Sequence, residues 1–253
     1  YDAVGNLTML TYSDGKSVAY AYDRANRLIQ VKDWDNNTTR YTYDESGNMT
    51  QKLLPDGSAV HYYYDDAENL KGISDIAPDS SLVYSTRYTL NKAGLCVAEQ
   101  VTLPLEPAFE ESDTQFTYNK ANQLIQRGLD VFSYDKDGNL ISGIVGGEEK
   151  ELVFDELNQL VQADNDTYQY DAEGMRVTTT IDGETKRYVQ CPVKPFSLLL
   201  EEHDAEGNIL ARYVYGADLI SREDTDGNVS VYHFDRRGST VALTDKSGGI
   251  TDR

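Results

Sequence analysis

The chain has 253 residues, of which 39% are hydrophobic, and 23 Lys and Arg face 43 Asp and Glu for a formal net charge of −20. That length allows a substantial core or one continuous array; the acidity argues against nucleic acid and anionic membranes, which need clustered Lys and Arg. No run reaches membrane-spanning length, and 19 tyrosines make Tyr a principal packing residue, each ring seeking burial and each hydroxyl a partner or water.

The chain opens on a phrase repeated every 21 residues: Tyr1-Asp2, Tyr22-Asp23, Tyr43-Asp44 and Tyr64-Asp65, each followed by Gly or Asn and then Leu or Met. A fixed period means one supersecondary unit used again and again. Leu7 to Tyr12 is rich in β-formers, Ser13-Asp14-Gly15 is a hairpin signal, and Lys16 to Tyr22 is the return run. Asp23 to Arg27 turns the chain into the next unit. The tight turn recurs in register at Asp35-Asn36 and Asp56-Gly57, and again at Asp137-Gly138. Asp, Asn and Gly suit such places because they tolerate positive φ or bond to nearby backbone. Each unit therefore reads as one β-hairpin. The expected architecture is all-β: a long antiparallel meander of strands of roughly 5–7 residues, with no helix longer than about two turns.

Beyond residue 76 the phrase persists with looser spacing, at Tyr118, Tyr134-Asp135, Phe154-Asp155, Tyr170-Asp171, His203-Asp204 and Phe234-Asp235. The chain divides into regular repeats over 1–76 and irregular repeats over 77–253, with no strong domain boundary. Longer hairpins and an irregular excursion are expected over Ile76 to Gln115, where Pro78, Pro104, Pro107 and the run Glu110-Glu111-Ser112-Asp113 fall. A second interruption is expected at Cys191-Pro192-Val193-Lys194-Pro195. The chain starts inside a repeat and stops without a capping unit, so it reads as a piece of a longer polypeptide.

Alternation along the return strand places Val18, Tyr20 and Tyr22 on one face and Ala19 and Ala21 on the other. Tyr41 and Tyr62 follow Tyr20 one and two units later, so the tyrosines form columns. The repeat aromatics are expected to pack, and the neighbouring Asp to accept backbone N–H bonds in the turn that follows. The Tyr20, Tyr41 and Tyr62 column has two readings: cross-strand ladders that hold the sheet, or a surface on which sugar faces stack. If about 24 strands pair side by side, the sheet is roughly 115 Å across. Open sheets rarely exceed about 10 strands without curling, so this one is expected to curl.

No cofactor, metal or catalytic residue is expected. Asp135-Lys136-Asp137-Gly138-Asn139 and Asp224-Thr225-Asp226-Gly227-Asn228 hint at calcium loops, but Gly falls at the fourth place and no Glu closes either. His61, His203 and His233 hold no metal-ligand spacing. Cys96 and Cys191 carry no catalytic signature; they could pair, but two cysteines so far apart in sequence read more readily as free thiols. Asn-x-Ser/Thr matches such as Asn36-Asn37-Thr38 follow from turn Asn meeting strand Thr.

The repeated Tyr-Asp-x-x-Gly-Asn-Leu phrase resembles the YD repeats of the RHS family over nearly the whole chain. That family includes bacterial polymorphic toxins, the shell-forming subunits of Tc toxins and the barrel of teneurins. Tyr232-His233-Phe234-Asp235-Arg236-Arg237-Gly238-Ser239-Thr240-Val241-Ala242-Leu243-Thr244-Asp245 is similar to the stretch preceding the family's core, with Arg236 and Arg237 in place of the usual His-Leu pair. The resemblance implies a spiralling sheet wound into a hollow shell, a secreted or cell-surface setting, and partners in the rest of the polypeptide and an enclosed C-terminal toxin or effector. The family's cleavage core carries an Asp-Pro motif, and no Asp-Pro dipeptide occurs here, so the implied part is wall and not enzyme. The alternative is an extracellular module that binds carbohydrate or cell surfaces through the tyrosine-lined sheet.

Overall fold

The structure is a computed structural model that describes residues 1–103, 113–191 and 198–252. The described residues form 25 strands and no helix. The first seven are β1 (Met9–Thr11), β2 (Ser17–Tyr22), β3 (Leu28–Lys32), β4 (Thr38–Tyr43), β5 (Met49–Leu53), β6 (Ala59–Tyr64) and β7 (Leu70–Ile76). Next come β8 (Leu82–Leu90), β9 (Cys96–Thr102), β10 (Phe116–Tyr118), β11 (Leu124–Arg127), β12 (Asp130–Val131) and β13 (Ser133–Tyr134). They are followed by β14 (Leu140–Val145), β15 (Glu148–Phe154), β16 (Leu160–Ala163), β17 (Asp166–Tyr170), β18 (Arg176–Ile181) and β19 (Glu184–Cys191). The last six are β20 (Leu198–His203), β21 (Ile209–Tyr215), β22 (Leu219–Asp224), β23 (Val229–Phe234), β24 (Thr240–Thr244) and β25 (Ile250–Asp252).

Neighbours in sequence are neighbours in the sheet, and the pairings are antiparallel, as the hairpin repeat requires. Turns form at all four expected places: Gly15, Asn36, Gly57 and Gly138 sit at φ +88°, +67°, +89° and +93°. Strand lengths range more widely than expected, from two residues in β12 to nine in β8. Within the excursion expected over Ile76 to Gln115, β8 and β9 make a long regular hairpin. Pro104, Pro107, Glu110, Glu111 and Ser112 lie outside the described residues, as do Pro192, Val193, Lys194 and Pro195.

Chain contacts group into two compact units: Tyr1–Pro107 with Ala211–Arg253, and Ala108–Leu210. In the first, β1 to β9 form one meander, and the turns that join β1 to β2, β3 to β4, β5 to β6 and β7 to β8 share one edge. Burial concentrates toward that edge, at Tyr12, Val18, Val31, Leu54, Val60 and Ala77, and falls off toward the Tyr-Asp turns at the other. Leu54, Val60, Ile73 and Tyr84 close on Val231 of β23, and Ala77 and Val83 close on Ala242 of β24. In the second unit β15 and β17 alternate half-buried and exposed residues, the period-2 pattern of a sheet with one wet face.

Candidate functional site

The repeated phrase builds one corner of fixed geometry. Asp23 N donates to the Arg27 carbonyl at 3.0 Å and Asn26 N to the Asp23 carbonyl at 3.1 Å, a type I turn closed by a positive-φ residue. The Asp23 carboxylate lies over the turn and accepts the Ala25 and Arg27 amides at 2.8 and 3.0 Å. Asp2, Asp44, Asp65, Asp135, Asp155, Asp171 and Asp235 accept turn amides in the same way. These bonds hold several carboxyls below the ordinary aspartate range: Asp23 and Asp65 chiefly through the backbone N–H of Arg27 and Asn69, Asp2 and Asp135 chiefly through the Asn6 and Asn139 side chains. The calcium-like loop at Asp135 is thus one of these turns, and that at Asp224 is another. Among the described residues, no group of three His, Cys, Asp or Glu could hold a metal ion.

The tyrosine of each phrase ties this corner to the one before it. Tyr22, Tyr43 and Tyr64 donate their hydroxyls to the Leu7, Leu28 and Met49 carbonyls at 3.1, 2.8 and 3.0 Å. Tyr134 and Tyr170 do the same to Leu124 and Leu160. In these strands the pairing slips by one residue just before the aromatic, at Ala21/Tyr22, Thr42/Tyr43 and Tyr63/Tyr64. Such a bulge turns the aromatic out of strict alternation and bends the strand. The rings are half-buried rather than fully packed, because each covers the end of a neighbouring strand. Burial raises the hydroxyls of Tyr22, Tyr43 and Tyr64 above the ordinary tyrosine value. Phe154 and Phe234 are half-buried, whereas Tyr1 and Tyr118 are 69% and 55% exposed.

Tyr20, Tyr41 and Tyr62 share the inward face of β2, β4 and β6. Tyr41 is only 4% exposed, and Ala217 N donates to its hydroxyl at 3.3 Å. A Cβ at Gly216 would collide with that hydroxyl. Tyr41 is therefore not a ligand surface: the segment after β21 covers it, a contact between residues far apart in sequence. Tyr20 and Tyr62 are half-buried. Tyr62 lines a cleft of about 550 Å³ with Tyr64, Leu70, Phe234 and Asp218.

Three polar clusters clasp the shared turn edge of β1 to β8 against β21 to β24, and sequence reasoning anticipated none of them. At the first, Tyr12 donates to the Tyr213 carbonyl at 2.6 Å, Lys16 pairs with Glu223 at 3.2 Å, and Trp34 Nε1 donates to Glu223 at 2.7 Å. Arg212 and Asp14 form an ion pair beside them. At the second, Lys52, 2% exposed, pairs with Asp218 at 2.7 Å. At the third, Asp56, Asp75, His233 and Thr244 form one buried chain. The signal for Lys52 lay in the repeat: Val31, Lys52 and Ile73 hold the same place, so a cation stands where its counterparts are apolar. Cys96 and Cys191 are free thiols.

The chain has relatives among known proteins. Residues 1–92 and 75–189 match the family described as teneurin YD-shell. No curated protein matches the chain. Among solved structures, a TcdB2-TccC3-TEV crystal structure superposes with a TM-score of 0.61 at 15% identity, covering 99% of this chain and 17% of that one. TcdB2-TccC3 itself gives 0.61 at 15%, covering 99% and 18%. The Tc holotoxin pore of Photorhabdus luminescens gives 0.55 at 14%, covering 99% and 17%. The chain thus spans less than a fifth of the length of the structures it matches. On the match across most of its length, this chain belongs to the YD-shell family and is a structural element of such a shell.

Proposed function

We propose that the chain is a non-catalytic wall segment of a hollow β-shell that encloses a C-terminal toxin or effector domain of the same longer polypeptide. The observation that carries this reading is the recurrence, within the family match, of YD corners stitched by Tyr22, Tyr43, Tyr64, Tyr134 and Tyr170. A strip tied corner to corner extends without needing a compact core. The clasp in the first unit meets β21 to β24 at one edge of the strip, which leaves the residues near the YD turns half-exposed. The mechanism is passive. A closed wall would keep a partner domain from solvent and proteases until release, in a secreted or cell-surface setting. Cryo-electron microscopy of the full-length parent tests the reading. The expected result is a cavity bounded by this segment with separate density inside; a solid sandwich or a flat sheet in its place would refute it.

A second reading, carbohydrate or cell-surface binding, is favoured by one observation: the cleft that sets Tyr62, Tyr64 and Phe234 beside Asp218. Aromatic faces with a nearby carboxylate suit a sugar ring. Glycan-array binding by the chain, abolished in a folded Tyr62→Ala variant, is the expected result under this reading. An array without signal removes it.

A further inference from the structure

The third cluster of the clasp draws four segments of the first unit into one line. Asp75 of β7 meets His233 of β23, with Oδ2 2.6 Å from Nδ1. The other ring nitrogen, Nε2, is 2.8 Å from Thr244 Oγ1 of β24. Thr244 Oγ1 lies 2.6 Å from Asp56 Oδ2, in the turn between β5 and β6. Asp56 is fixed in turn by Ser58, whose amide and hydroxyl donate to it at 2.9 and 2.8 Å. His233 and Thr244 are 0% exposed, Asp75 is 1% and Asp56 6% exposed. The order of hydroxyl, imidazole and carboxylate resembles that of a nucleophile with its base. No substrate reaches a hydroxyl at 0% exposure, so the cluster calls for another role.

Counting protons supplies it. The line contains three hydrogen bonds, and each needs one proton. Thr244 brings one on its hydroxyl and a neutral imidazole brings one. Two carboxylates bring none. The third proton must be taken up from outside, whether it rests on the imidazole or on a carboxylate. Without it, one bond of the line is lost and a buried acceptor faces another acceptor, which is costly. Asp75 Oδ1 has no hydrogen-bond partner among the described residues, so this carboxylate depends on the His233 bond.

We propose that the Asp75–His233–Thr244–Asp56 line is a one-proton latch, which couples closure of β23 and β24 onto β5 to β7 to the uptake of a single proton. The sign follows from linkage. Above the ordinary imidazole value of about 6.5, the unfolded chain holds a neutral histidine and two carboxylates. The folded unit then holds one proton more, so its stability falls as pH rises. Two tyrosines adjoin the Asp75 end of the line: Tyr62 of β6, which feels the Asp75 charge, and Tyr84 of β8, the cross-strand partner of Asp75. Desolvation pushes both hydroxyls well above the ordinary tyrosine range, so they stay protonated through neutral and mildly alkaline pH.

Two isosteric variants separate the latch from mere packing. In Asp56→Asn, the amide donates to Thr244, Thr244 donates to Nε2, and Nδ1–H donates to Asp75, so three bonds form with no added proton. In Asp75→Asn, the amide donates to Nδ1 and the line runs the other way, again complete. Urea unfolding of the 253-residue chain between pH 7 and pH 8.5, followed by the fluorescence of its single tryptophan, Trp34, reads the first unit directly. The expected result is a wild-type folding constant that falls about tenfold more per pH unit than that of either variant while the native proton is retained, the slope for one proton. Equal slopes in the wild type and a folded carboxamide variant would overturn the proposal. Failure of both variants to fold would count equally against it, because each should complete the line without the proton.

Discussion

At the residue scale, the YD pair divides its work. The Asp satisfies the turn that begins the next strand, and the Tyr ties that strand end to the preceding corner. Tyr43→Phe removes only the 2.8 Å bond to Leu28 and should cost about 1 kcal/mol. Tyr43→Ala also removes a half-buried ring and should cost about 2 kcal/mol, below the 3–5 expected of a fully buried aromatic. Thermal or urea unfolding measures both, and equal losses would mean that the ring contributes nothing beyond its hydroxyl. The aspartates give the array an acid limit. Their folded values lie below the ordinary 3.8, so the stability they supply is complete above that pH and is lost as pH falls through the lowered values. A variant with Asp23, Asp44 and Asp65 all replaced by Asn should lose less stability between pH 5 and pH 2.5 than the wild type. Asn91 and Asn119 already fill this place and accept the same amides without a titrating group.

At the element scale, the two ends of a hairpin are built differently. From β1 to β6 both ends use the same five-residue turn and only the Tyr-Asp end adds a bulge, whereas at β7–β8, β21–β22 and β24–β25 an end without the Tyr-Asp pair is bulged as well. In the second unit the opposite end shortens to two residues, as at Gly146-Gly147 and Asp182-Gly183, both at positive φ as a twisted hairpin requires. This accounts for the intervals shorter than 21 residues between Tyr134 and Tyr170, since a shorter turn removes residues from the period without changing the corner. The fourth turn position needs φ near +60° to +95°. Gly5, Asn26 and Gly47 meet that need, whereas Glu68 takes φ +64° with a side chain suited to neither. Glu68→Gly should raise stability by up to about 1 kcal/mol, read as a higher urea midpoint; a lower midpoint would mean that the Glu68 side chain makes a contact worth more than the strain.

At the scale of the whole molecule, the first unit depends on partners drawn from opposite ends of the chain. Lys52 is the sharpest case. Replacing it by Met leaves Asp218 without its cation and should cost less than the ~3–5 kcal/mol of a fully buried pair, because Asp218 is 33% exposed, and adding Asp218→Leu should restore most of the loss. If the double variant is no better than the single one, the pair does not act as a unit. The same clasp bears on any wall built from this strip, since Trp34, Lys52 and Asp75 fix where the later strands meet the earlier turns.

The all-β meander, the strand order and all four tight turns were legible in the sequence because they depend on local chemistry. Asp, Asn and Gly set the turn wherever they fall in register, and alternation sets the faces of a strand. The bulge before each aromatic was not legible, because a slip in pairing leaves no mark on composition. Nor was the clasp. Tyr41 reads as one more member of a column until Gly216 and Ala217 are laid over it, and His233 reads as a strand residue until Asp75 and Asp56 flank it. Short-range hydrogen bonds repeat with the sequence and can be read from it. Which buried charges meet depends on how distant strands are brought together, and that is decided only in the folded chain.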